Sequence, residues 1–317
     1  MINTAEHSGI YVELEQLLGL RAMAQDFNLK PRKSGRSISD GLARSTRRGR
    51  GMEFAEVRHY QAGDDVRNID WRVTARTQTT HTKLFHEEKE RPVYLLIDQR
   101  ASLFFGSVRS FKSVLAAELA AIIAWCAVRD GDRLGGLIFS DREQADFRAQ
   151  RGRAAVFTLL RNLATFNQKL RSPITAGHHG ENLSLAALSQ ELLRVARPGS
   201  LVYVVSDFVD FDASCRKTMT LLRRHCELEL LHIYDPLEVQ LPAGGVLPLS
   251  DGTQRILINA EHQDTRESFT RAWQDTQLRI KSAAHGLKAG YTLLSCAEPL
   301  RDTALTCLQL AKSRSRS

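Results

Sequence analysis

Two stretches, "VYLLID" (Val93 to Asp98) and "LVYVVSD" (Leu201 to Asp207), are apolar at almost every position until an aspartate ends them. A strand with one face in water alternates apolar and polar residues, because successive side chains point to opposite faces. A strand that is apolar throughout is buried on both faces, which places it inside a mostly parallel sheet covered by helices on either side. The segments between and around the two strands supply those helices. They run "SVRSFKSVLAAELAAIIAWCAVRDG", "RAAVFTLLRNLATF", "ENLSLAALSQELLRVARPG" and "ASCRKTMTLLRRHC", with apolar residues at helical spacing. The expected fold is therefore an α/β, doubly wound, mostly parallel sheet. Ligands of such sheets bind at the carboxyl ends of strands, where the strand order reverses. Asp98 and Ser206-Asp207 form the default site.

The rest of the chain divides by composition. Residues 1–29 read as an amphipathic helix, with Leu14, Leu17, Leu18, Leu20 and Met23 at helical spacing. Residues 30–50 are a basic linker broken by Pro31, Gly35, Gly41 and Gly49. Residues 51–91 form a β-rich segment and 92–317 the α/β domain. Within the latter, "DRLGGLIFSD", "ELELLHIYDPLE" and "YTLLSC" read as strands and "EQADFRAQ" as a short edge strand. "GVLPLSDGTQRILINA" reads as a hairpin turned at Asp251-Gly252. Gly135-Gly136 lies within a strand, where it is expected to allow close helix packing.

Composition narrows the function classes. The longest apolar run, Ser113 to Val128, is too short to span a membrane and carries Glu118, so it reads as a buried core helix. The N-terminus has no basic segment followed by an apolar run, and five scattered cysteines show neither a CxxC pair nor a His/Cys cluster. Buried free thiols in a cytoplasmic protein are the expectation. The net charge of +8 is concentrated. Lys30, Arg32, Lys33, Arg36, Arg44, Arg47, Arg48 and Arg50 stand against Asp40 alone, and "KSRSRS" ends the chain. Such an arm fits a solvated linker that carries charge for solubility, or a contact with an acidic protein surface or nucleic acid. The absence of interleaved aromatics, which would stack on bases, disfavours nucleic acid.

Motifs further along the chain resemble a known family. "GRGMEFAEVRHYQAGDDVRNIDWRVTAR" (Gly49 to Arg76), above all "GDDVRNIDW" (Gly63 to Trp71), and then "DPLEVQLP" (Asp235 to Pro242) resemble the domain of unknown function 58 (DUF 58) family. The resemblance runs from about Arg48 to Leu294 and its motifs occur in the expected order. It implies a von Willebrand factor A-like fold with an N-terminal helix and an inserted β-rich segment. It also implies a partner, a MoxR-type AAA+ ATPase, and a non-enzymatic adaptor role in assembling or activating other proteins. Von Willebrand A domains hold a divalent cation through Asp-x-Ser-x-Ser, a threonine and a further aspartate, hard oxygen ligands suited to Mg²⁺. Asp98, Ser102 and Asp207 match that pattern. Arg100 takes the place of the first serine, and no threonine stands near Glu181, Asn182 and Ser184.

A guanidinium about 5 Å from a divalent cation costs roughly 6 kcal/mol at an effective dielectric of 20. Arg100 is accordingly expected to fill the pocket itself, bridging Asp98 and Asp207 with its planar fork. The alternative is a weak Mg²⁺ site with Arg100 pointing outward. Asp64, Asp65 and Arg67 are candidate partner contacts, while Trp71 is expected to plug the core and Asp70 to pair with an arginine. His178-His179 and the cluster His81, His86, Glu87 and Glu88 are expected to be loop and ladder residues, not metal ligands. No P-loop, GxSxG or HExxH motif is present. A hydrolase built on Asp98 and Asp207 would need a positioned base and an occupied metal, and neither is legible.

Overall fold

The computed structural model describes residues 9–29, 52–61, 64, 66–87, 91–171, 183–250 and 255–310. The basic arm, Asp65 and His178-His179 lie outside them. The chain begins with a short helix α1 (Leu14–Gly19), a 3-10 turn (Met23–Asp26) and a two-residue strand β1 (Phe27–Asn28). A separate unit, Arg32–Glu90, contains β2 (Met52–His59), α2 (Trp71–Thr77) and β3 (His81–Glu87). The α/β unit then continues with β4 (Val93–Asp98), α3 (Lys112–Arg129), β5 (Leu134–Phe139), β6 (Gln144–Gln150), α4 (Arg153–Lys169) and α5 (Leu185–Val195). After these come β7 (Leu201–Ser206), α6 (Ala213–His225), β8 (Glu227–Tyr234), α7 (Pro236–Val239), β9 (Val246–Ser250) and β10 (Arg255–Asn259). The elements α8 (Gln263–Gly286), β11 (Gly290–Ser295), α9 (Leu300–Cys307) and β12 (Gln309–Leu310) complete it.

Six strands form the central sheet in the order β11-β8-β7-β4-β5-β6. All neighbours are parallel except β6, which runs antiparallel along the edge of β5. The all-apolar strands are explained by the alternation of their side chains. Val93, Leu95 and Ile97 enter a core shared with α3 and α4, while Tyr94 and Leu96 enter a second core shared with α5 and α6. In β7, Leu201, Tyr203 and Val205 divide from Val202 and Val204 in the same way. The strand order reverses between β4 and β7, so Asp98 and Asp207 stand at neighbouring carboxyl ends on either side of the switch point.

Helix α3 has almost no polar face because it is covered twice. The sheet lies on one side, and the N-terminal segment packs on the other through Leu17, Ala24 and Phe27, all buried. Burying Leu17 and Phe27 contributes roughly 1.5–3 kcal/mol each. Polar contacts fix the register: Trp125 Nε1 donates to the Leu17 carbonyl at 3.3 Å, and Arg129 Nη1 donates to the carbonyls of Ala24 and Phe27 at 2.7 Å each. The expected N-terminal helix is shorter than its periodicity, giving way after Gly19 to the 3-10 turn and to β1, which pairs with β12. All five cysteines are buried free thiols. No helix among the described residues is long and apolar enough to cross a membrane.

Gly136 serves a different purpose from the expected one. It sits at a register shift between β5 and β6, and a Cβ there would collide with the backbone carbonyl of Leu95 on β4. The glycine pair therefore permits close approach of strands, not of a helix.

In the smaller unit β2 and β3 form an antiparallel pair, so the described part of "HTKLFHEEKE", His81–Glu87, is a ladder strand. Asp70 caps α2 by accepting from the amides of Arg72 and Val73, and its charged partner is Lys83 at 3.4 Å, not an arginine. Trp71, expected in the core, is 69% exposed. As the first residue after the cap it leaves α2 on the solvent side. Asp64 pairs with Arg58 at 2.8 Å, and Arg67 lies exposed on the 3-10 turn Val66–Asn68.

Candidate functional site

Strand β4 delivers Asp98 fully buried, and the chain turns sharply after it. The Arg100 amide donates back to Asp98 Oδ1 at 3.0 Å, which curls the guanidinium over the same carboxylate. Arg100 Nε donates to Oδ1 at 3.0 Å and Nη2 to Oδ2 at 2.7 Å, a bidentate fork. Ser206 Oγ, at the end of β7, donates to Oδ2 at 2.7 Å. The other edge of the guanidinium reaches Asp210, with Nη1 and Nη2 at 2.8 and 2.9 Å. The ring of Phe139 lies 5.1 Å below its central carbon. Arg100 thus bridges two aspartates as expected, but the second is Asp210 and not Asp207. Asp210 also accepts the amide of Leu185 at 2.8 Å, tying Arg100 to the first turn of α5.

Asp207 faces a different cation. Lys112, nearly fully buried in the first turn of α3, places Nζ 3.0 Å from Asp207 Oδ2 and 2.6 Å from Glu238 Oε1. Glu238 belongs to "DPLE", where Asp235 caps α7 and Glu238 Oε2 accepts the Asp235 amide in return, a capping box. Asp235 is itself buried and takes Ser107 Oγ at 2.6 Å, the Ser107 amide at 2.8 Å and the Cys296 thiol at 3.1 Å. Phe208, between the two aspartates, adopts a left-handed φ of 56°, held by its amide donating to Ser206 Oγ at 2.9 Å. This local turn aims Asp207 and Asp210 at different cations. Sequence reasoning missed Lys112, Asp210 and Glu238.

Each cation at the site is shared by two carboxylates, Arg100 by Asp98 and Asp210 and Lys112 by Asp207 and Glu238. Burial drives the Asp98 pKa up to about 6 against the attraction of Arg100, so the carboxyl is ionised at neutral pH. Burial opposes the Arg100 and Lys112 charges, but their carboxylate partners outweigh it and raise both pKa values. At Asp210, burial is overcome by Arg100 and the carboxyl is held below its ordinary value.

The residues present do not fit a divalent cation. Both oxygens of Asp98 accept from Arg100 and Asp207 Oδ2 accepts from Lys112, so that of the three matching residues only Ser102, whose Oγ is buried without a hydrogen-bond partner, has no competing cation. Mg²⁺ would share its ligands with two fixed positive charges, each costing several kcal/mol at such distances. Nor do three His, Cys, Asp or Glu side chains converge as a metal site among the described residues.

His232 on β8 is buried beside this cluster, its Nδ1 2.9 Å from the Tyr291 hydroxyl. Burial lowers its pKa from 6.5 to about 4, so it is neutral at physiological pH. Its contribution to stability is full above pH 6.5 and is lost as the pH falls toward 4. Asp98, with its raised pKa, has the opposite slope over nearly the same window. Comparison with His232→Gln separates them. In urea unfolding, the stability advantage of wild type over the variant should shrink by roughly 2–3 kcal/mol between pH 7 and pH 4.5. A gap that stays constant with pH would show that His232 titrates normally.

Residues 56–279 match the family model described as protein of unknown function DUF58. Uncharacterised proteins of Mycobacterium tuberculosis and Mycobacterium bovis are each 32% identical over 275 residues, covering 84% of this chain and 81% of their own. YeaD of Bacillus subtilis, also uncharacterised, is 27% identical over 167 residues, 52% of this chain and 39% of its own length. Among solved structures, the conserved hypothetical protein BatB from Bacteroides thetaiotaomicron aligns with a TM-score of 0.39 and 12% identity, over 62% of this chain and 98% of that one. Proximal thread matrix protein 1 from mussel byssus, with a zinc-occupied MIDAS motif, aligns at 0.31 and 10%, over 45% and 38%. The doubly wound sheet, with its antiparallel edge strand and its site at the switch point, is the von Willebrand A-like architecture that the resemblance implies. With 32% identity across four-fifths of its length and a family model matched over most of the chain, this protein belongs to the DUF58 family.

Proposed function

We propose that this protein is a non-enzymatic, cytoplasmic adaptor that recognises a MoxR-type AAA+ ATPase, without a metal, through the loops at the carboxyl end of its central sheet. The observation that carries this reading is the pairing of four carboxylates at the switch point with internal cations: Asp98 and Asp210 with Arg100, Asp207 and Glu238 with Lys112. An acid–base catalyst needs a group free to exchange protons near neutral pH. Locked ion pairs instead make a rigid floor. Above that floor, the loops after the adjacent strands β4, β7 and β8 each expose one apolar side chain, Val108, Val209 and Leu237. Clustered apolar residues on a rigid scaffold are the usual mark of a protein-binding surface. The partner's identity comes from the family resemblance. Asp64, Asp65 and Arg67 are further candidate contacts with the partner, and the basic arm Lys30 to Arg50 would suit an acidic surface on it.

Affinity capture of the tagged chain from nuclease-treated lysate, in Mg²⁺ or in EDTA, tests the reading. The expected result is an AAA+ ATPase recovered under both conditions and lost from the Val108→Asp/Val209→Asp variant. That variant should fold normally, because both side chains are exposed. Recovery only in Mg²⁺ would restore the metal site at Asp98, Ser102 and Asp207. Partners abolished by nuclease would make nucleic-acid binding by the basic arm the main function, with binding falling steeply with salt.

A further inference from the structure

Strands β9 and β10 form a two-stranded sheet that joins no other strand among the described residues. An isolated hairpin is marginally stable in water, and stability comes from a third strand or a covered face. Among the described residues this hairpin has no third strand, and its cover is partial, with Leu247, Ile258 and Asn259 half-buried. Ile256 and Leu257 are consecutive, so they point to opposite faces, and both are exposed, Leu257 to 73%. Val246, across from Asn259, is exposed as well.

The two edges of the hairpin are not equivalent. Leu257 stands opposite Pro248, which has no N–H to give. The Ala260 amide donates to the Gly245 carbonyl at 2.8 Å, which sets the alternation of the ladder. Counting back from that bond, Ile258–Leu247 and Ile256–Leu249 are the hydrogen-bonded pairs, and Leu257–Pro248 is a non-bonded one. The Pro248 ring therefore faces outward and blunts the β9 edge. On β10 the N–H and C=O groups of Arg255, Leu257 and Asn259 point away from β9, as an open edge.

We propose that β10 pairs antiparallel with β10 of a second copy of this chain, about a two-fold axis at Leu257, so that two hairpins become one four-stranded sheet. The β10 sequence, "RILIN", is complementary to itself in that register. Leu257 meets Leu257 of the partner subunit, Ile256 meets Ile258 of the partner subunit, and Arg255 meets Asn259 of the partner subunit. No like charges stand opposite one another, and apolar residues align on both faces. The assembly also closes. Its outer edges are two copies of β9, each blunted by Pro248, so growth stops at two chains.

Sedimentation equilibrium of the full chain, with single-cysteine cross-linking, tests the proposal. Wild type should sediment at twice the chain mass at tens of micromolar. Leu257→Pro should sediment as a single chain with an unchanged circular dichroism spectrum, since the Leu257 N–H takes no part in the hairpin's own ladder. Under mild oxidation Leu257→Cys should form a disulfide-linked dimer, because residues in a bonded antiparallel pair have Cα atoms about 5.5 Å apart. Arg255→Cys should not, because in this register its symmetry mate lies roughly 14 Å away. The native thiols are all buried and do not compete. A wild-type chain that sediments at its own mass, a Leu257→Pro chain that still dimerises, or equal cross-linking at positions 255 and 257 would each overturn the proposal.

Discussion

Replacing Arg100 with methionine should destabilise the α/β unit by roughly 3–5 kcal/mol, the usual cost of removing one partner of a buried ion pair. Asp98 has no exposed surface, and Arg100 supplies three of the hydrogen bonds that its carboxylate accepts from side chains. Without the guanidinium, only Ser206 Oγ and the backbone amide of residue 100 remain to stabilise the charge. A buried carboxylate in that position takes up a proton instead of staying ionised. Its pKa, already about 6, should rise further. The sign of the pH dependence follows. A folded-state pKa raised above the unfolded value contributes stability at low pH and loses it as pH rises through the folded pKa. The deficit of Arg100→Met relative to wild type should therefore be larger at pH 8 than at pH 5, as measured by urea unfolding. The double variant Asp98→Asn/Arg100→Met should recover a large part of the loss, since the only carboxylate it deprives of its cation is Asp210, whose side chain is 28% exposed and can turn toward water. Equal deficits in the single and double variants would mean that the fork contributes only packing, and the electrostatic account of the site would fail.

How much of this arrangement was legible in the sequence depends on how local each cause is. Asp98 and Asp207 could be located because an all-apolar strand ending in a polar residue is a local pattern, and the switch-point rule says where such ends matter. The occupation of the pocket by Arg100 followed from charge alone. Its second partner did not. Asp207 and Asp210 both follow β7, and the choice between them depends on the left-handed turn at Phe208, which nothing in "VSDFVDF" announces. Lys112 left a trace that went unread. A lysine in the first turn of an otherwise apolar helix stands at the wrong end of the helix dipole, and a lysine is almost never buried without a partner. Glu238 left another, the Asp-x-x-Glu spacing of a capping box. Trp71 was misplaced because size argued for the core, whereas its position directly after the cap Asp70 decided its direction. The lack of a polar face on α3 implied a second cover. That the N-terminal segment provides it is a long-range fact which the periodicity of residues 10–29 does not contain.

Lys112→Met should be nearly as costly as the loss of Arg100, roughly 3–5 kcal/mol, and the loss should divide unevenly between its two partners. The side chain of Asp207 is 6% exposed and that of Glu238 is 32% exposed. With Lys112 gone, Glu238 can turn toward water and recover its hydration, while Asp207 cannot. Double-mutant cycles resolve the difference. The coupling between Lys112→Met and Asp207→Asn should exceed that between Lys112→Met and Glu238→Gln, because solvent screens the half-exposed Glu238 more than the buried Asp207. The weaker pair nevertheless has a structural role. Lys112 joins the start of α3 and the end of β7 to α7, whose N-terminus is held by the Asp235 cap. Amide exchange at Glu238 and Gln240, slowed by their bonds to the carbonyls of Asp235 and Pro236, should therefore accelerate in Glu238→Gln even though global stability barely changes. Accelerated exchange throughout the sheet in that variant would instead place Glu238 in the global folding unit, and the division between buried and exposed partners would be wrong.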